Sequence, residues 1–132
     1  GKINPIEGFK KFLIDIKSKH ILVGLASNAV RKNVSLIINE LNIFNDFDSI
    51  ICGDEVNNGK PNPEMFNKTI NRFNIKKDEC LIFEDSLEGV KAAKNSGIKV
   101  VGISSSTSDK TLIDAGSIKT ISNYIGFDLS KI

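Results

Sequence analysis

The chain has 132 residues, 40% of them hydrophobic and 26% charged, which is the balance of one globular domain with room for a core. Its 18 basic and 16 acidic residues leave a net charge of +2 spread along the sequence, which argues against a nucleic-acid partner or an anionic-membrane surface. No apolar run reaches the ~18 residues of a membrane span, no signal-peptide pattern is seen, and Cys52 and Cys80 sit in apolar runs at a spacing that suits no metal knuckle, so a reducing, cytoplasmic setting is expected.

Phe9, Phe12, Leu13 and Ile16 in "PIEGFKKFLIDIKSK" have helical spacing. "HILVGLAS" follows as a short apolar run and predicts a buried strand over residues 20–27. Val34, Ile37, Ile38 and Leu41 return to helical period, and "FDSIICGD" predicts a second strand. "NPEMFNKTINRFNI" predicts a helix, with Asn62 as cap and Pro63 at the first helical position. "ECLIFED" predicts a third strand, "SLEGVKAAKNSG" a helix closed by Gly97, and "KVVGISS" a fourth strand. A short helix over Asp109–Ala115, a small strand near residues 118–121 and a closing turn of helix complete the chain. His20 precedes a strand without a partner and is expected at the surface; Phe9, Phe12, Phe66 and Phe73 are expected in the core.

Strands alternating with helices predict an α/β fold: a doubly wound parallel sheet with helices on both faces, in a single domain over residues 1–132. Ligands of such sheets lie beyond the carboxyl ends of the strands. Ser27 and Asn28 follow the first strand, the loop "GDEVNNGKPNPE" the second, Glu84, Asp85 and Ser86 the third, and Ser104 the fourth. A hydroxyl, a lysine held beside Pro61 and two carboxylates on one rim suit a phosphate with a divalent ion, and hard oxygen ligands suit Mg²⁺. Each group also has a plainer use. Ser27 can cap a helix, Lys60 can be solvated, and Asp85 or Ser86 can cap the helix that follows. A cap does not account for Glu84, a second carboxylate on the tip of an apolar strand.

"LASNA", "GKPNPEMF" and "FEDSLEGVKAAKNSG", in this order, resemble the haloacid dehalogenase-like hydrolase superfamily, and within it the β-phosphoglucomutase-like branch with its related sugar-phosphate phosphatases. The resemblance implies that Ser27 and Asn28 meet the transferring phosphoryl group and that Lys60 bridges its oxygens to a nucleophilic carboxylate. Asp85, with Glu84 beside it, would complete a Mg²⁺ site. Many relatives carry glycine at the position of Glu84, and an acidic residue there points to the phosphoglucomutase-like branch. Family chemistry runs through an aspartyl-phosphate, resolved by water or by a sugar hydroxyl.

The family's first motif, a strand ending in Asp-x-Asp-Gly-Thr that supplies nucleophile and general acid/base, has no counterpart in this sequence, and neither has the helical cap. Asp15 and Asp46 follow no strand of that pattern. The resemblance therefore implies a Rossmann-like core lacking the first-motif strand and the cap, that is, the C-terminal portion of a longer enzyme. An N-terminal fragment carrying Asp-x-Asp is the expected partner, seated between the strands formed by "ILVGLAS" and "CLIFED". The expected function is a Mg²⁺-dependent phosphatase of small phosphorylated metabolites whose nucleophile lies outside these residues, the chain alone being inactive. A β-phosphoglucomutase is the enzyme alternative, and a non-catalytic binding domain the alternative of another class. A phospho-receiver domain needs an acidic pair after its first strand, and "LASNA" has none.

Overall fold

The computed structural model describes residues 5–132. Its helices are α1 (Phe9–Ser18), α2 (Arg31–Glu40), α3 (Glu64–Phe73), α4 (Leu87–Ser96) and α5 (Asp109–Ala115). Its strands are β1 (Gly24–Ser27), β2 (Ser49–Cys52), β3 (Leu81–Glu84), β4 (Lys99–Ile103) and β5 (Lys119–Ile121). Every strand pairing is parallel, as βαβ connections require. Among the described residues the strands form two hydrogen-bonded sheets, β1-β2 and β3-β4-β5, with no ladder between β1 and β3.

Helices cover both faces and hold the two sheets together. On one face, Phe66 and Ile70 of α3 pack with Val90, Ala92 and Ala93 of α4 against Ile82 and Val100. On the other, α1 spans the gap. Leu13 joins Val34, Ile38 and Cys52 beside β1 and β2, whereas Phe12 packs with Ile103 and Tyr124 beside β3 and β4. Phe12, Phe83, Tyr124 and Phe127 form an aromatic cluster with ring centroids 5.1–5.6 Å apart in edge, tilted and stacked geometries.

Several boundaries differ from those the periodicity predicts. The first strand starts at Gly24 rather than at residue 20, because the Asp48 carboxylate takes the Val23 N–H at 2.8 Å and the Lys17 ammonium at 2.8 Å, ending the ladder there. His20 stands outside it with φ 60°. Pro63 is the N-cap of α3 rather than its first helical residue, and Asn62 Oδ1 accepts the Glu64 N–H at 3.0 Å. Glu64 in turn accepts the N–H groups of Asn57 and Asn58, folding the long loop onto the helix start. Ser86 caps α4 by accepting the Gly89 N–H at 3.0 Å, and Gly97 closes it at φ 80°. The closing turn is a 3₁₀ turn over Leu129–Lys131.

The free edges of β1 and β3 face an open cleft of about 710 Å³. Leu25 and Ala26 line it on one side and Phe83 on the other, with Val34, Ile37 and Ile38 of α2 behind. This explains why Ile37, on the apolar stripe of α2, is 40% exposed: the stripe opens onto the cleft instead of onto a neighbouring element.

Candidate functional site

Ser27, Asn28, Lys60, Glu84, Asp85 and Ser86 all line the end of this cleft. They arrive there because β1 and β3 are parallel members of their sheets and deliver their carboxyl ends to the same rim. The Lys60 side chain, 9% exposed, crosses from the loop after β2 into the cleft. Its ammonium donates to the Ala26 carbonyl oxygen of β1 at 2.7 Å and to the Glu84 carboxylate of β3, so one cation ties the tips of both sheets. It also lies 5.3 Å from the centre of the Phe66 ring.

Glu84 has a more specific place than that of a rim carboxylate. Its side chain is 10% exposed and takes the Lys60 ammonium on Oε1. Oε2 lies against Gly89, where an ideal Cβ would stand only 2.1 Å away. Burial pushes the Glu84 carboxyl above the usual carboxylate range, and the Lys60 ammonium opposes that push. The Tyr124 phenol on the cleft wall is raised well above its ordinary value by burial, then by the nearby Asp85 and Glu84 charges.

Ser27 is not a helix cap; α2 is capped at Val30. Its Oγ accepts the Ala29 N–H at 3.2 Å, and the hydroxyl proton has no acceptor among these contacts. Asn28 turns away from Ser27 and grips the Lys60 backbone, accepting its N–H at 2.8 Å and donating to its carbonyl at 3.1 Å. Ser104 stands apart from this group, its Oγ 3.4 Å from the Ile121 carbonyl. Asp46 lies in the turn before β2, at the opposite end of the strands. Cys52 and Cys80 are both free thiols.

Among the described residues no three His, Cys, Asp or Glu side chains form a ready metal cluster. Asp85 is exposed at the cleft mouth, and Glu84 is adjacent but engaged by Lys60. Mg²⁺ is commonly held by one or two carboxylates, the rest of its shell being water and substrate phosphate. The carboxylates present fit such a partial set, with Asp85 the accessible carboxylate.

The sequence matches the family described as haloacid dehalogenase-like hydrolase over residues 1–103. It is 35% identical to a phosphorylated carbohydrates phosphatase from Thermotoga maritima over 91% of this chain and 56% of that protein. It is 30% identical to a β-phosphoglucomutase from Bacillus subtilis over 78% of this chain and 46% of that one. A crystal structure of a family IA, variant 3 hydrolase of the same superfamily from Entamoeba histolytica superposes with TM-score 0.90 at 23% identity, covering 99% of this chain and 60% of that one, a likeness of fold. The chain thus spans about half the length of the curated relatives it matches. No helix of the described residues is long and apolar enough to cross a membrane.

Proposed function

The chain belongs to the haloacid dehalogenase-like hydrolases, a family of enzymes, and we propose that it forms the C-terminal portion of a Mg²⁺-dependent phosphatase acting on small phosphorylated metabolites. The observation that carries this reading is the Lys60 ammonium, held between the Ala26 carbonyl and Glu84 at the end of the cleft. A cation fixed there, in the same cleft as the Ser27 hydroxyl, meets the charge that develops on the oxygens of a transferring phosphoryl group. It needs little reorganisation to do so.

Ser27 has a free hydroxyl proton to donate to a phosphoryl oxygen, and Lys60 neutralises and orients that group. Asp85, with Glu84 next to it, would hold Mg²⁺, which when bound supplies further positive charge beside the phosphate. The attacking carboxylate belongs to a strand seated in the cleft, an N-terminal segment of the same enzyme carrying Asp-x-Asp. An unpaired β1 edge facing an unpaired β3 edge is a place for a strand parallel to both, and the apolar side walls suit a strand buried on two faces. Water resolves the aspartyl-phosphate. The cytoplasm is the setting of this reading, in keeping with the two free thiols.

A β-phosphoglucomutase is the second reading, favoured by the acidic Glu84 and by the Bacillus subtilis relative. Phosphate release from a panel of sugar phosphates by the intact enzyme, with Mg²⁺ and with EDTA, tests the proposal. Metal-dependent release supports a phosphatase. Interconversion of sugar-phosphate isomers without release supports the mutase, and neither activity overturns both readings.

A further inference from the structure

Two loops that end on different strands meet at one side chain. Asn28 follows β1, and it holds Lys60, in the loop after β2, at both backbone groups. A backbone N–H only donates and a carbonyl only accepts, so the orientation of the Asn28 amide is determined by its partner. Two glycines of the second loop open onto the same residue. A Cβ on Gly59 would lie 2.7 Å from Asn28 Oδ1, and one on Gly53 only 2.0 Å from the Asn28 carbonyl oxygen. The Gly53 N–H also donates to the Ala29 carbonyl at 2.8 Å. Both glycines are thus places where the second loop must come close to Asn28.

We propose that Asn28 is a positioning residue for Lys60: its amide fixes the Lys60 backbone at two points, so that the side chain leaves towards Ala26 and Glu84. The order of residues after β1 suggests instead a ligand of the phosphoryl group, beside Ser27. Against that role, the Oδ1 and one Nδ2 proton are already committed to Lys60. A single exposed hydrogen bond leaves its partner free to turn, whereas two bonds to one residue define both where that residue sits and which way it faces. The consequence of this positioning for turnover rests on the function proposed above.

The test uses the chain labelled with ¹⁵N-lysine. The Lys60 ammonium, buried and held by two acceptors, is expected to give a ¹H–¹⁵N signal that exposed lysines lose by exchange with water. Asn28→Ala is expected to speed that exchange at least ~10-fold or erase the signal, and Asn28→Asp, which keeps the acceptor for the Lys60 N–H, to give an intermediate rate. If Asn28→Ala does not fold, Asn28→Asp decides the matter alone. An unchanged Lys60 signal overturns the proposal, even where the melting temperature falls, and so does the absence of that signal in the unsubstituted chain. In the intact enzyme the expected loss for Asn28→Ala is about a hundredfold in kcat with KM little changed. A loss confined to KM would make Asn28 a substrate ligand and overturn the proposal. Accelerated exchange in a protein with no phosphoryl-transfer activity would leave Asn28 as the residue that positions Lys60 and overturn the proposed function instead.

Discussion

Replacing Gly89 by alanine isolates the buried pair at the end of the cleft. Gly89 lies in the first turn of α4 and is buried. An ordinary helical glycine replaced by alanine stabilises a protein by about 1 kcal/mol. Here the new Cβ would stand 2.1 Å from Glu84 Oε2, 2.3 Å from its Cδ and 2.9 Å from its Cγ. Three atoms of one side chain must move, and the movement takes the carboxylate off Lys60. Both partners are about nine-tenths buried, and breaking such a pair costs roughly 3–5 kcal/mol. Net of the helix gain, Gly89→Ala is expected to destabilise by about 2–4 kcal/mol. Urea denaturation followed by circular dichroism reads this as a lower midpoint at unchanged m value. In a Lys60→Met/Glu84→Ala background the obstruction is gone, and the same substitution is expected to stabilise by up to ~1 kcal/mol. Stabilisation of the unsubstituted chain, or equal destabilisation in both backgrounds, refutes this account of Gly89.

In the intact enzyme, Lys60→Ala is expected to lower turnover ~10²–10³-fold while leaving the circular dichroism spectrum unchanged; a near-normal rate removes Lys60 from the site. Lys60→Arg is expected to restore only part of the rate, since a planar fork cannot reproduce a point charge reaching both Ala26 and Glu84. Asp85→Asn is expected to raise the Mg²⁺ concentration for half-maximal rate more than Glu84→Gln does, because Asp85 is exposed at the cleft and Glu84 is held by Lys60; the reverse order contradicts the assignment. The Lys17 ammonium, and after it the Val23 N–H, hold the Asp48 carboxyl below its usual range. Its contribution to stability is therefore present above the unfolded value of about 3.9 and is lost as pH falls through the lower folded value. Melting temperature against pH is expected to show a shallower acid decline in Asp48→Asn, and an unchanged decline counts against the ion pair.

The order of elements was legible because apolar runs too short for helices alternate with runs of helical period, and Ser86 and Gly97 mark both ends of α4 in the sequence itself. The rim was legible too, since parallel strands send their carboxyl ends one way. The use of each rim residue was not. Lys60 and Glu84 are far apart in sequence, and nothing in either segment says whether the carboxylate meets a metal or an ammonium. The one signal is Gly89, whose missing side chain makes room for Glu84. Asn28 stands beside Ser27 and looks like its companion, but the turn after β1 sends its amide towards the other loop. The start of β1 at Gly24 depends on Asp48, a residue of the following strand's approach, and such a contact leaves no trace in local periodicity.

The central claim is that the end of the cleft between β1 and β3 is where a phosphoryl group is transferred. A crystal of the intact enzyme soaked with Mg²⁺ and inorganic phosphate tests it most directly. The expected density has phosphate within hydrogen-bond distance of the Lys60 ammonium and the Ser27 hydroxyl, metal on Asp85, and a strand of the same enzyme between β1 and β3. Phosphate bound away from Lys60, or a cleft filled by side chains with no strand, would contradict it.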